Sequence, residues 1–191
     1  MTMSYEEDVK KAVEVLRAGG VILYPTDTIW GIGCDATNPD AVQRVFDIKK
    51  RADGKALICL VDSPDRLQRY VRNVPAVAWD LIDYATRPLT LILDGAVNLA
   101  PNLIAADGSV GIRVTREDFS NRLCYRFQKA LVSTSANISG EPSPANFSEI
   151  SNDIKNAVDY IVRSRQGEKA KSEASSIIRL RQDGEVHIIR K

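Results

Sequence analysis

Apolar residues recur at helical spacing near the start of the chain and then collect into short runs. A first helix is predicted by the spacing of Val9, Ala12, Val13 and Leu16. Gly19 and Gly20 end this helix, and the apolar run 21–24, closed by Pro25, predicts a buried strand. The next segment, 26–38, is rich in Thr, Gly and Asp and has no period, so it predicts a loop.

The rest of the chain alternates irregularly between helical and strand patterns. Further helices are predicted from Pro39 onward, from a cap at Ser63 towards Tyr70, and over 77–84. Further strands are predicted over 56–61, 89–93, 111–114, 130–133, 177–180 and 186–189. The last two flank Asp183-Gly184, a signal for an antiparallel hairpin. This order predicts an α/β (α+β) fold with a mixed, twisted sheet and helices packed on it.

Composition and charge narrow the class of protein. With 191 residues, 44% hydrophobic and 27% charged, the chain can bury a sizeable core, and we expect one domain over residues 1–191. The 26 Lys and Arg residues balance 25 Asp and Glu, so charge gives no global argument for a nucleic-acid or membrane partner. The N-terminal segment is acidic and polar, and no apolar stretch approaches about 20 residues. We therefore expect a cytoplasmic protein without a membrane partner.

The cysteines and the single histidine offer little metal or redox chemistry. Cys34, Cys59 and Cys124 are scattered without a C-x-x-C pair, which indicates neither a zinc site nor a disulfide framework. His187 lies in the predicted final hairpin, where we expect a structural role. The sequence contains no P-loop, no dinucleotide-binding fingerprint and no nucleophile elbow. If ATP binds, it binds through another architecture.

Three polar segments are candidates for a ligand site. The first, 24–33 (YPTDTIWGIG), places two threonine hydroxyls and an aspartate directly after a buried strand, although an ordinary strand-to-loop turn explains the same composition. The second, 48–55 (IKKRADGK), holds four cations within seven residues, which suits a polyphosphate. Helix capping by cations explains some of these four without explaining Lys55.

The third segment, 132–143 (VSTSANISGEPS), is a strand that runs into a dense set of hydroxyls, one amide and a glycine turn. These groups orient a ligand by hydrogen bonds without offering a strong acid or base. The same composition is typical of ordinary connecting loops, so the segment is informative only together with the other two.

In this order, the three segments resemble the YrdC-like threonylcarbamoyl-adenylate synthase family. Its members show a Y-P-T-[DE]-T-x-Y-G-L loop, a K-x-R…K-P-L stretch and an S-x-N-x-S-G loop. In addition, 88–91 resembles the family's P-L-T strand, 109–113 its segment ending in V-x-R, and 174–178 its late S-T-[IV] motif. The resemblance spans residues 20–190 and is to the short, single-domain form. It implies a largely antiparallel sheet with a concave basic cleft.

The resemblance implies that the amine of L-threonine combines with bicarbonate. The resulting carboxylate then attacks the α-phosphorus of ATP, which yields threonylcarbamoyl-adenylate and pyrophosphate. The adenylate passes to tRNA-modifying partner proteins. Adenylyl transfer calls mainly for positioning and for cationic stabilisation of phosphate oxygens, so the lack of a nucleophile is expected.

The resemblance also implies the site residues. ATP-binding positions are matched by Arg51, Lys55, Ser109, Ser135, Asn137, Ser143 and Arg190. Threonine-binding positions are matched by Thr28, Arg113, Ser133 and Ser175. Among the cations, the catalytic positions are Lys50, Arg51 and Lys55. Arg113 is expected to pair with the threonine carboxylate, and Mg²⁺ to be held mainly by the triphosphate, without a metal site on the protein.

Several positions depart from the family pattern. Trp30 replaces the usual Tyr but keeps an aromatic plane and a donor. Leu60 stands where many members have a histidine that contacts threonine, which removes a polar group from the amino-acid pocket. Ala52 and Ala56 replace prolines, and Thr86-Arg87 replaces a Pro-Gly pair. The phosphate-binding half of the pattern is complete.

Two alternatives remain open at the level of sequence. One is a module that binds double-stranded RNA or tRNA, because phosphate affinity alone does not separate RNA from ATP. Its basic residues would be Lys49, Lys50, Arg51, Arg113, Arg116, Arg122 and Arg126. The other is a related carbamoyl-adenylate enzyme with a different acceptor.

Overall fold

The computed structural model describes residues 4–51, 57–169 and 174–191 and begins with a capped helix. Helix α1 (Tyr5–Arg17) starts at Ser4, whose hydroxyl accepts from the Glu7 amide while the Glu7 carboxylate accepts from the Ser4 amide. This capping box satisfies donors that the first turn of a helix leaves unpaired. The apolar face predicted from the sequence is buried. Gly19, at a φ of +80°, turns the chain into the sheet.

The other helices pack around the sheet. They are α2 (Pro39–Ile48), α3 (Leu67–Tyr70), α4 (Ala76–Tyr84), α5 (Asp118–Phe127) and α6 (Asn152–Ala157). Asn38 caps α2, whose first residue is Pro39, as the sequence predicts. Ser63 is the N-cap residue of a 3₁₀ turn over Pro64–Arg66 that leads into α3, as the sequence predicts, although its side chain makes no cap hydrogen bond.

One sheet runs through the molecule. Its strands are β1 (Ile22–Tyr24), β2 (Gly31–Gly33), β3 (Ile58–Val61), β4 (Leu89–Leu93), β5 (Val110–Val114), β6 (Leu131–Ser135), β7 (Tyr160–Ile161), β8 (Ser176–Leu180) and β9 (Val186–Arg190). Across the described residues these nine strands lie in the order β7-β1-β2-β6-β3-β5-β4-β8-β9. The β1–β7, β3–β5 and β4–β8 pairs are parallel, and the other five neighbouring pairs are antiparallel. The mixed, largely antiparallel sheet is therefore confirmed.

Strand β2 lies inside the segment that the sequence predicts as a loop. A β-carbon on Gly33 would lie 2.5 Å from Cε1 of Tyr24 and 2.7 Å from the carbonyl oxygen of Val132. Glycine is needed there because the β1 side chain and the β6 backbone approach so closely. Gly-Ile-Gly offers no alternation of apolar and polar side chains, so hydrophobic periodicity does not predict this strand.

The buried apolar side chains form one core cluster, which takes in all three cysteines. Burial raises the pKa of Cys59 to about 12 and keeps its thiol protonated and unreactive. Within the part of the chain that the structure describes, each helix is too short or too polar to cross a membrane.

Candidate active site

A cavity of about 230 Å³ opens between the loop after β1, the middle strands of the sheet and the C-terminal hairpin. Its wall is rich in hydroxyl groups and carries two arginines. Seven of the residues predicted as ligands line it together: Thr28, Arg113, Ser133, Ser135, Ser143, Ser175 and Arg190. All four predicted threonine-binding residues are in this set, with three of the predicted ATP-binding residues.

Arg113 is the buried cation of the cavity. It lies on β5 between Leu60 of β3 and Thr90 of β4, and it is 3% exposed. One terminal nitrogen lies 3.0 Å from Oδ1 of Asp27, and the guanidinium also donates to the hydroxyls of Thr28 and Thr90, each at 3.3 Å. A buried guanidinium requires such partners because leaving water is costly.

A second group of contacts joins Arg113 to the end of the chain. The hydroxyls of Thr90 and Ser175 lie 2.9 Å apart. Arg190, on β9, donates through Nε to the Ser175 carbonyl oxygen at 2.8 Å. Thus one polar network runs from Asp27 through Arg113, Thr90 and Ser175 to Arg190. The sequence-based assignment missed Thr90 as a site residue, although its place in the P-L-T strand was a signal.

The electrostatics of the cavity suit an anion. Asp27 is paired with Arg113, while Arg190 adds a second positive charge beside Ser175. Burial raises the pKa of Asp27, and the neighbouring Arg113 opposes that rise. Guanidinium groups offer a planar fork of donors that matches carboxylate and phosphate oxygens.

Trp30 forms an aromatic part of the wall. Its ring packs against Phe147, with a centroid distance of 4.8 Å and a tilt of 51°. Trp30 is 6% exposed, so the ring is held firmly in place. Leu60 is fully buried in the core beside Arg113. The position that carries a histidine in many members of the resembled family is therefore apolar core here.

The predicted cation cluster lies beside the cavity at the C-terminal end of α2. Lys50 is exposed in a left-handed conformation, with a φ of +50°, and Arg51 is half-buried. Burial lowers the pKa of Arg51. Neither residue lines the cavity wall. Lys55, like Ala52 and Ala56, lies outside the described residues.

Two other predicted ATP ligands also lie off the wall. Ser109 precedes β5, and its hydroxyl donates to Oδ1 of Asp107 at 2.6 Å. Asn137 lies in the loop after β6, where its amide donates to the carbonyl oxygens of Ile138 and Glu141. The predicted contacts of both residues with ATP stay predictions.

A second, smaller cavity lies on the other side of Asp27. It has a volume of about 150 Å³ and is lined by Asp27, by the connection 85–88, and by Ile82 of α4, Leu89 of β4 and Val114 of β5. Arg116, at its rim, donates to the carbonyl oxygens of Ile82 and Ala85 at the end of α4. Among its described lining residues Thr86 alone carries a hydroxyl group, so the hydroxyl-rich cavity is the stronger candidate for a substrate site.

The segments that form the polar cavity are similar to those of known proteins. Residues 14–191 match the Sua5/YciO/YrdC family model, which is described as "Telomere recombination". The chain belongs to this family. The family membership expected from the sequence motifs is therefore confirmed. The match covers the segments that form the cavity, from the loop after β1 to β9.

Curated relatives and a solved structure extend this result. The threonylcarbamoyl-AMP synthase of Pseudoalteromonas translucida is 33% identical over 163 residues, covering 84% of this chain and 87% of the relative. That of Vibrio cholerae is 32% identical over 187 residues, covering 94% and 100%. A double variant of P. abyssi Sua5 is 25% identical with a TM-score of 0.86, and the match covers 98% of this chain. This chain spans 56% of that longer protein.

Proposed function

We propose that this chain is an L-threonylcarbamoyladenylate synthase, which converts L-threonine, bicarbonate and ATP into threonylcarbamoyl-AMP and pyrophosphate. Curated relatives that match over most of their length bear this name. The observation that carries the proposal is the convergence of seven predicted ligands, from distant parts of the chain, on one cavity. The product would serve N6-threonylcarbamoyladenosine (t6A) modification of tRNA in the cytoplasm and would pass to tRNA-modifying partner proteins.

Arg113 is proposed to bind the α-carboxylate of L-threonine. Arg113 lines the cavity, and its buried Nε makes no hydrogen bond to the described residues. The hydroxyls of Ser133 and Ser175 lie on the same wall and are suited to the polar groups of threonine. Because Thr28 and Thr90 already hold the guanidinium, it is oriented before substrate arrives.

The triphosphate of ATP is proposed to bind on the side of Ser135, Ser143 and Arg190, with Lys50, Arg51 and Lys55 as the further cations predicted from the sequence. Among residues 4–51, 57–169 and 174–191, no group of three or more His, Cys, Asp or Glu side chains is placed to hold a metal ion. We propose that Mg²⁺ is carried mainly by the triphosphate, where it would neutralise phosphate charge.

The proposed reaction forms two bonds in sequence. The threonine nitrogen bonds to the carbon of bicarbonate, and water leaves. An oxygen of the new carbamate then bonds to the α-phosphorus of ATP, and pyrophosphate leaves with the electrons of the broken P–O bond. The residues of this chain contribute by holding the α-carboxylate at Arg113 and by stabilising phosphate charge with Arg190 and the cations near α2.

The proposal is tested by measuring pyrophosphate release with each substrate omitted in turn. We expect release only when L-threonine, bicarbonate and ATP are all present. Equal release without L-threonine, or with L-serine in its place, would favour a related carbamoyl-adenylate enzyme with another acceptor. The RNA-binding alternative predicts instead an affinity for tRNA that falls steeply with salt and is independent of threonine.

A further inference from the structure

Lys49 is a lysine buried at the end of α2. It lies beside the candidate site and does not line the cavity wall. It is 2% exposed, whereas the next residue, Lys50, is exposed. Lysines are almost never fully buried unless their charge is compensated, because an ammonium group loses strong hydration when it leaves water. The contacts of its Nζ atom therefore have to explain its position.

The Nζ of Lys49 is surrounded by oxygen atoms of Ser135, the last residue of β6, and of Asn137, two residues further on. It donates to the main-chain carbonyl of Ser135 at 2.5 Å and to that of Asn137 at 2.7 Å. Two side-chain oxygens of the same residues, Oγ of Ser135 and Oδ1 of Asn137, lie at 3.5 Å and 3.4 Å. An ammonium group has three donors, and these oxygens are enough to occupy all of them.

The backbone of Lys49 binds the same loop. The amide of Ser139 donates to the Lys49 carbonyl oxygen at 2.8 Å. Lys49 thus holds residues 135–139 through both its side chain and its main chain. The 135–143 loop continues through Gly140, at a φ of +91°, to Ser143, and contains no regular helix or strand after β6 ends. Ser135 and Ser143 line the cavity at the two ends of this loop.

We propose that Lys49 is a positioning residue for ATP, which fixes the conformation of the 135–143 loop so that Ser135 and Ser143 are placed to bind the nucleotide. This inference rests on the proposed function for the identity of the ligand. Within the K-x-R pattern of residues 49–51, the first cation, Lys49, therefore holds a loop and is not assigned to phosphate. A direct phosphate ligand would need donors that Lys49 has already given to carbonyl oxygens.

The charge of Lys49 is maintained by the oxygens around it and opposed by its burial. Burial, together with the nearby Arg51, lowers the pKa of Lys49 to about 8. Carbonyl oxygens favour the charged form, because a protonated amine donates to them. At neutral pH the cation is therefore the main species that holds the loop.

The test compares Lys49→Met with Lys10→Met. Methionine matches the length of the lysine stem but donates no hydrogen bond, and Lys10 is an exposed lysine on α1 that provides the same change of charge. Hydrogen exchange of the amides in 135–143 is measured in the protein without ATP, and ATP affinity is measured by calorimetry. We expect about tenfold faster exchange in this loop and about tenfold weaker ATP binding, the factor that corresponds to about 1.4 kcal/mol. Lys10→Met should change neither.

The exchange measurement separates the inference from the proposed function. Unchanged exchange in ATP-free Lys49→Met, with weakened ATP binding, would show a direct phosphate contact and overturn the positioning role. Absence of ATP binding by the unsubstituted chain would overturn the proposed function, while the exchange result would still decide whether Lys49 holds the loop.

A second variant covers the case in which Lys49→Met does not fold. Lys49→Arg keeps a cation with donors for both carbonyl oxygens, and we expect loop exchange closer to that of the unsubstituted chain than to unprotected exchange, with ATP binding retained. If Lys49→Arg folds and protects the loop but loses ATP binding, the positioning role is wrong.

Discussion

The ion pair between Arg113 and Asp27 should contribute strongly to stability, because both side chains are largely buried. The Arg113 and Asp27 side chains are 4% and 10% exposed, and their charged atoms lie 3.0 Å apart. Replacing Arg113 with Met leaves the Asp27 carboxylate without its cation. Breaking a buried pair from one side costs about 3–5 kcal/mol. For a domain of this size that loss lowers Tm by roughly 6–20 °C.

The loss is expected to depend on pH. Burial raises the pKa of Asp27, and removing Arg113 takes away the group that opposes this rise. A carboxyl whose folded-state pKa lies above its unfolded value favours folding when protonated, and this contribution is lost as pH rises. Arg113→Met should therefore be closer in Tm to the unsubstituted chain at about pH 5 than at about pH 8.

Adding Asp27→Asn separates stability from binding. The double variant no longer buries an unpaired charge, so we expect it to regain most of the lost Tm in differential scanning calorimetry. Its affinity for L-threonine should stay low, because loss of hydrogen bonds to a charged group costs about 1.5–3 kcal/mol, or roughly 10–150-fold. Recovery of threonine binding in the double variant would show that Arg113 does not bind threonine, and no recovery of Tm would show that the unpaired Asp27 charge is not the cause of the lost stability.

Three further predictions concern residues that build the fold or the cavity. Gly33→Ala should cost about 3 kcal/mol in urea unfolding, because its β-carbon would lie 2.5 Å from the Tyr24 ring; a cost below about 1 kcal/mol would contradict this packing. Asp8→Ala should cost about 3 kcal/mol in the same assay, because the buried carboxylate accepts from the Ser164 amide and hydroxyl and from other donors; wild-type stability would count against it. Thr90→Val should raise the KM for L-threonine about tenfold with little change in KM for ATP, and an unchanged threonine KM would exclude a role in the pocket.

Much of the fold could be predicted from local patterns. The α1 periodicity, the proline at the start of α2, the Asp-Gly hairpin between β8 and β9, and the strand at 89–93 all match the structure. Strand β2 was missed because two of its three residues are glycines, which need a close neighbour rather than a pattern to explain them. The α5 helix was not predicted, although Glu117 caps it through the amides of Phe119 and Ser120.

The candidate site could be predicted by its residue types but not by its contacts. Thr28 and Ser175 are far apart in sequence and meet through the sheet order, which local periodicity does not contain. The cation cluster was assigned to phosphate as a group, whereas the structure buries Lys49 against carbonyl oxygens. Sequence spacing shows that cations are near one another and leaves open which of them faces a ligand.

The central claim is that this cavity joins threonine, bicarbonate and the adenylyl group in one product. The most direct measurement is mass spectrometry of the reaction with ¹³C-bicarbonate, labelled L-threonine and ATP. We expect one AMP adduct that carries both labels and forms together with pyrophosphate. Pyrophosphate formation without such an adduct, or an adduct that lacks the threonine label, would contradict it.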